Sequence, residues 1–117
     1  MRYELFPEDE LRPGDVRAVR VGGVTIAVMR TPAGDYRALR DSCSHHGAPL
    51  SHGRLQPVTV GDDVGCYDLS TRQFVLRCPW HGYEFDTESG QCLADPLHER
   101  VRAYPVTVTG GLVFLDR

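Results

Sequence analysis

Two short stretches decide how the chain is read: Cys78-Pro79-Trp80-His81-Gly82-Tyr83 and, upstream of it, Cys43-Ser44-His45-His46-Gly47-Ala48-Pro49-Leu50. Each offers a thiol and an imidazole, at C-x-x-H and C-x-H spacing, close enough for both side chains of a loop to converge on one centre. The glycines permit positive φ, which lets main-chain N–H groups turn toward a bound anion. Pro49 and Pro79 stiffen the loops, so less entropy is lost when ligands are ordered. The chain holds four cysteines, Cys43, Cys66, Cys78 and Cys92, which two disulfides would accommodate. Its first residues, MRYELFPEDEL, are charged and lack the apolar core of an export signal, which predicts a cytoplasmic address and reduced thiols. Metal ligation is then the better reading of the patterned pair.

Around these loops almost everything reads as short strand plus turn. Val16 to Val21 alternates apolar and polar, Gly22-Gly23 reverses the chain, and Val24 to Met29 returns as a hairpin partner. Thr31 to Asp35 is a second turn leading into Tyr36 to Leu39, and Tyr104–Thr109, Gly110-Gly111 and Leu112–Leu115 make another hairpin. No stretch keeps a helical period, and 12 Gly with 8 Pro punctuate the chain. The prediction is an all-β chain of small antiparallel sheets with functional loops between them.

Size and charge narrow the possible functions. A chain of 117 residues supports one modest core and leaves no room for a second catalytic domain. Net charge of −3 argues against nucleic acid or an anionic membrane as main partner. No apolar run approaches the roughly 20 residues that span a bilayer.

The pair C-x-H-x-G-x-P-L and C-P-W-H-G resembles the Rieske [2Fe–2S] proteins. The likeness extends through Phe85 to Leu93, FDTESGQCL, and the closing hairpin, where it is similar to small Rieske ferredoxins. It implies a single domain over 1–117, with a cluster-binding part at about 41–95 formed by two hairpin-like loops. It further implies that Cys43 and Cys78 bind one iron of a [2Fe–2S] cluster and that His45 and His81 bind the other. The function implied is that of an electron carrier between a flavin-dependent reductase and a terminal oxygenase, or of the small subunit of a nitrite reductase. Between His45 and Cys78 lie 32 residues, about twice the usual family spacing, with the surplus at about 56–70 reading as an extra hairpin or flap.

Ligand charge sets the expected redox range. Two thiolates neutralise the oxidised core, whereas four would leave a dianion that resists a further electron; Rieske centres therefore span roughly −150 to +300 mV against about −400 mV for plant-type ferredoxins. Titration of the imidazole N–H groups would make the potential pH-dependent. Respiratory Rieske proteins carry a further cysteine in each loop and a Ser after the second His-Gly; this chain has Ala48, Trp80 and Tyr83 at those positions. Fewer hydrogen bonds to the reduced cluster predict a potential low in the Rieske range.

Blander readings stand beside these. Cys₂His₂ also suits a structural zinc ion, which would make the chain an interaction module. Of the remaining histidines, His46 reads as a loop residue near the cluster, with ligation as the alternative, and His52 and His98 as surface residues. None of them, in so short a chain, supplies the two-histidine, one-carboxylate iron site of an oxygenase, so no enzyme activity is expected of the chain alone. Trp80 is either a loop-packing residue or part of a docking face. Cys92 reads as core filling and Cys66 as a free thiol, with a bond between them as the alternative. Pro96 is placed in a third loop shielding the cluster, and Glu8-Asp9-Glu10 and Asp62-Asp63 in solvated acidic turns able to steer a basic reductase.

Overall fold

The computed structural model describes residues 1–43, 47–57, 74–80 and 82–117. In chain order the strands are β1 (Arg2–Pro7), β2 (Val16–Val21), β3 (Val24–Arg30), β4 (Tyr36–Arg40), β5 (Arg54–Pro57), β6 (Phe74–Arg77), β7 (Glu84–Asp86), β8 (Ala103–Tyr104), β9 (Val106–Thr109) and β10 (Leu112–Asp116). Among the described residues the only helix is a 3₁₀ turn, Leu50–His52, and none is long and apolar enough to cross a membrane. The expected all-β class is present, as are the hairpin of Val16 to Met29 and the closing hairpin across Gly110-Gly111. All strand pairs are antiparallel and form three sheets, ordered β1-β10-β9, β2-β3-β4-β8 and β5-β6-β7.

The four-stranded sheet is the middle layer, and its central strand explains why. Residues of β3 alternate between two cores: Ala27 and Met29 join one, Ile26 and Val28 the other, all four with 0% exposure. A strand covered on both faces needs the unbroken apolar run Ile26-Ala27-Val28-Met29 that the sequence supplies. On one face Phe6, Leu11, Val113 and Leu115 come from β1, β10 and the β1–β2 connection. On the other, Leu76 and Phe85 come from the sheet that carries the Cys-Pro-Trp loop, and Leu50, Cys92 and Val101 from the 3₁₀ turn and the segment between β7 and β8.

Two local devices connect the layers. Pro105 separates β8 from β9 and has no N–H to continue a ladder, so the chain changes sheets there while its carbonyl accepts from the Asp116 amide. In β1 the register with β10 shifts between Glu4 and Phe6, leaving Leu5 as a bulge. Consecutive Leu5 and Phe6 then both pack on the core, which hides this strand from a search for strict alternation.

The surplus segment attaches to a hairpin. Gln56 and Pro57 belong to β5 and pair with Val75 and Phe74 of β6, so the connection leaves from the end opposite Cys78, which follows Arg77 directly. The remainder of the expected flap, with Cys66 and Asp62-Asp63, lies outside the described residues.

Candidate metal centre

The middle and outer sheets present two loops built alike. Cys78 stands where β6 ends and Glu84 where β7 begins, and Arg77 pairs with Glu84 to close the hairpin. Within it the Cys78 amide donates to the Tyr83 carbonyl at 2.7 Å, and the Gly82 amide donates to the Cys78 carbonyl at 3.1 Å. In the other loop the Cys43 amide donates to the Ala48 carbonyl and the Gly47 amide to the Cys43 carbonyl, both at 2.8 Å. The two loops thus share one hydrogen-bond register, from Cys to the residue five on and from the glycine four on back to Cys. Gly47 and Gly82 have φ of 71° and 72°, a left-handed conformation that costs a side-chain-bearing residue on the order of 1–3 kcal/mol. Glycine in both motifs is thereby explained by backbone shape.

Both loops are braced from behind. Asp41, just past β4, accepts from the Ser51 amide at 2.6 Å and from its hydroxyl at 2.8 Å, pinning the 3₁₀ turn after Pro49. Gly53 then packs so tightly on β6 that an added Cβ would lie 2.0 Å from the Arg77 carbonyl oxygen. Loop one is in this way fixed to the strand that delivers loop two.

Cys43 and Cys78 are each 2% exposed and lie in one core cluster with Ala48, Leu50, Leu76 and Phe85. Cys92 is equally buried in that cluster, so what marks Cys43 and Cys78 as candidate thiolate ligands is their place at the bases of the two matched loops. The donor chemistry therefore fits an iron–sulfur group. His45 and His81 lie outside the described residues, as does His46. The shared register nevertheless shows what their numbering means: loop one carries histidines two and three residues after Cys43, loop two carries one three residues after Cys78.

Other expectations resolve by burial. Cys92 is a free thiol with 0% exposure, bridged in β fashion to Phe85, and fills the core as expected. His52 is exposed, and so is His98, whose Nδ1 lies 2.9 Å from an Asp95 carboxylate oxygen. Trp80 is 61% exposed, so most of its side chain faces solvent, as the docking-face reading requires. The third loop starts at Leu93, whose amide bonds the Glu84 carbonyl beside the second motif, and its Pro96 is exposed. Glu10 of the acidic turn pairs with Arg17 at 3.4 Å. What sequence reasoning missed are Asp41, Ser51 and Gly53, whose roles depend on contacts between distant segments.

Comparison with known proteins agrees with this geometry. The family model described as the Rieske [2Fe-2S] domain matches residues 1–105. The ferredoxin component of the p-cumate 2,3-dioxygenase system of Pseudomonas putida is 29% identical over 112 residues, covering 96% of this chain and 82% of the relative. Among solved structures, a proposed NADH-dependent nitrite reductase small subunit from Mycobacterium tuberculosis aligns with a TM-score of 0.80 and 26% identity, covering 100% of this chain and 95% of that one. The ferredoxin in a complex of reduced oxygenase and oxidized ferredoxin of carbazole 1,9a-dioxygenase aligns with a TM-score of 0.71 and 28% identity, covering 97% and 100%.

Proposed function

The chain belongs to the Rieske [2Fe–2S] family, and from that premise we propose that it carries single electrons from a flavin-dependent reductase to a terminal oxygenase or related oxidoreductase in the cytoplasm, turning over no substrate itself. The observation that carries this reading is the pair of buried thiols, Cys43 and Cys78, at the bases of two loops of one design in a chain whose relatives are oxygenase ferredoxins. We assign Cys43 and Cys78 to one iron and His45 and His81 to the other, within a single unit spanning 1–117. When bound, the cluster supplies a one-electron site: an electron enters from the reductase and leaves to the acceptor, and no covalent bond changes partners.

The chain's own residues do the remaining work. The apolar cluster of Ala48, Leu50, Leu76 and Phe85 excludes water behind the thiolates. Gly47 and Gly82 let the loops turn tightly, the Asp41–Ser51 contact closes the first loop, and Gly53 packs it on the strand that carries the second, so little reorganises when charge changes. Trp80 and Pro79 reach solvent beside Cys78, offering a partner a short route to the buried site.

Purified protein should be red-brown, with about two irons and two labile sulfides per chain. It should also complete electron flow from NADH when mixed with the reductase and oxygenase encoded near it. Colourless protein with stoichiometric zinc would establish the interaction-module reading instead. The structural likeness to a nitrite reductase small subunit favours a second electron-transfer reading. Co-purification with a large haem- or flavin-containing subunit would select it.

A further inference from the structure

All 13 cationic side chains of this chain are arginine, and none is lysine. Their placement is uneven. Arg40, Arg100 and Arg102 line a surface hollow beside Cys43, and Arg54 and Arg77 line one beside Cys78; among the described residues no carboxylate lines either hollow. All five are exposed. Elsewhere Arg2 pairs with Asp116 and Arg17 with Glu10, Arg30, Arg37 and Arg117 donate to backbone carbonyls, and Arg12 and Arg20 stand apart from one another on the exposed surface. Among the described residues none of the five enters an ion pair; Arg102 lies over the Tyr104 ring, and the Arg77 guanidinium rests against Gly82. Two acids adjoin the first hollow in sequence: Asp41, whose carboxylate is committed to Ser51, and Glu99, which is half-buried and also engaged.

Sign therefore separates on this molecule. The chain is net anionic, yet the rim of its candidate redox centre is cationic. Guanidinium forks match carboxylates bidentately, and Arg with Trp is enriched where proteins dock, which puts exposed Trp80 in a fitting place.

We infer that this arginine rim, with Trp80 as its apolar anchor, is the docking face for an acidic surface of the protein that gives or takes the electron. This rests on the electron-transfer reading above and fixes the charge of the partner, opposite to what the sequence alone suggested: the acidic turn at Glu8–Glu10 is not among the residues lining either hollow.

The test uses the cluster-loaded chain with flavodoxin, an acidic flavin protein, and with cytochrome c, a basic one. Binding is measured calorimetrically with both partners oxidised, so that no electron moves, at ionic strengths of roughly 0.01 M and 0.15 M. Flavodoxin should bind more tightly at low ionic strength and cytochrome c weakly at both. The Arg54→Glu/Arg100→Glu pair should weaken flavodoxin binding at low salt by about tenfold or more, whereas Arg54→Lys/Arg100→Lys should retain the salt dependence. Flavodoxin affinity indifferent to salt and to charge reversal, or tighter binding of cytochrome c than of flavodoxin, overturns the inference. A visible spectrum unchanged in all variants establishes that the rim, not the cluster, was altered. Reductive titration is scored separately: a chain that takes up no electron refutes the carrier reading, while the oxidised-state binding still judges the rim.

Discussion

At the scale of single residues, the site divides into what a motif can reveal and what only folding brings together. Cys43, Cys78, Gly47 and Gly82 were legible because spacing and backbone conformation are local properties. Gly53 was not, since its constraint is the carbonyl of Arg77, far along the chain, and its own φ of −82° is ordinary. Its substitution should be informative. Gly53→Ala drives a Cβ into backbone that cannot yield without moving Cys78, whereas Gly47→Ala meets only the Ser42 Oγ at 3.7 Å and suffers the φ penalty. Thermal unfolding should show Gly53→Ala losing about 2–4 kcal/mol and Gly47→Ala about 1–2 kcal/mol. The reverse order would show that the β5–β6 contact does not brace the loops. The adjacent histidines offer a second prediction at this scale. His45→Ala should abolish the visible cluster absorbance and His46→Ala should preserve it; the opposite result would transfer the ligand to the position that matches His81 in register.

Among elements, alternation revealed β2 and β10, where every second side chain is more buried, and the Gly22-Gly23 and Gly110-Gly111 turns revealed their hairpin partners β3 and β9. It failed for β1, where the bulge at Leu5 breaks the period, and for β5, β6 and β7, which are only three or four residues long. The strand β4 also carries a titration that can be followed. Its first residue, Tyr36, is 6% exposed, and its hydroxyl donates to the carbonyl of Glu8, binding the β1–β2 connection to the middle sheet. Desolvation holds its pKa above the ordinary 10.0, although Arg30 nearby opposes this. The unfolded chain then loses that proton at lower pH than the folded one, so stability is full below pH 10 and falls as pH rises beyond it. Tyr36→Phe should lower stability at neutral pH by about 1 kcal/mol and remove this part of the alkaline decline. Denaturant melts across the alkaline range would check both, and an unchanged alkaline slope would assign the decline to other groups.

For the molecule as a whole, three layers place one core behind the redox loops and another behind the terminal strands. Composition revealed the class and net charge but not the separation of sign, because lining a hollow is a property of assembled surfaces. The absence of a cysteine clamp at Ala48 and Trp80, and Tyr83 in place of a serine, predicts a midpoint low in the Rieske span of roughly −150 to +300 mV. Exposed arginines push the other way, but at physiological ionic strength they are screened over about 8 Å. Voltammetry placing the midpoint in the upper third of the span would contradict this ordering. The most direct measurement is pulsed electron paramagnetic resonance on the reduced protein with ¹⁵N-labelled histidine. The account predicts two histidine nitrogens coupled to a single binuclear centre. Coupling to no histidine nitrogen, or a protein silent because it holds zinc, would contradict it.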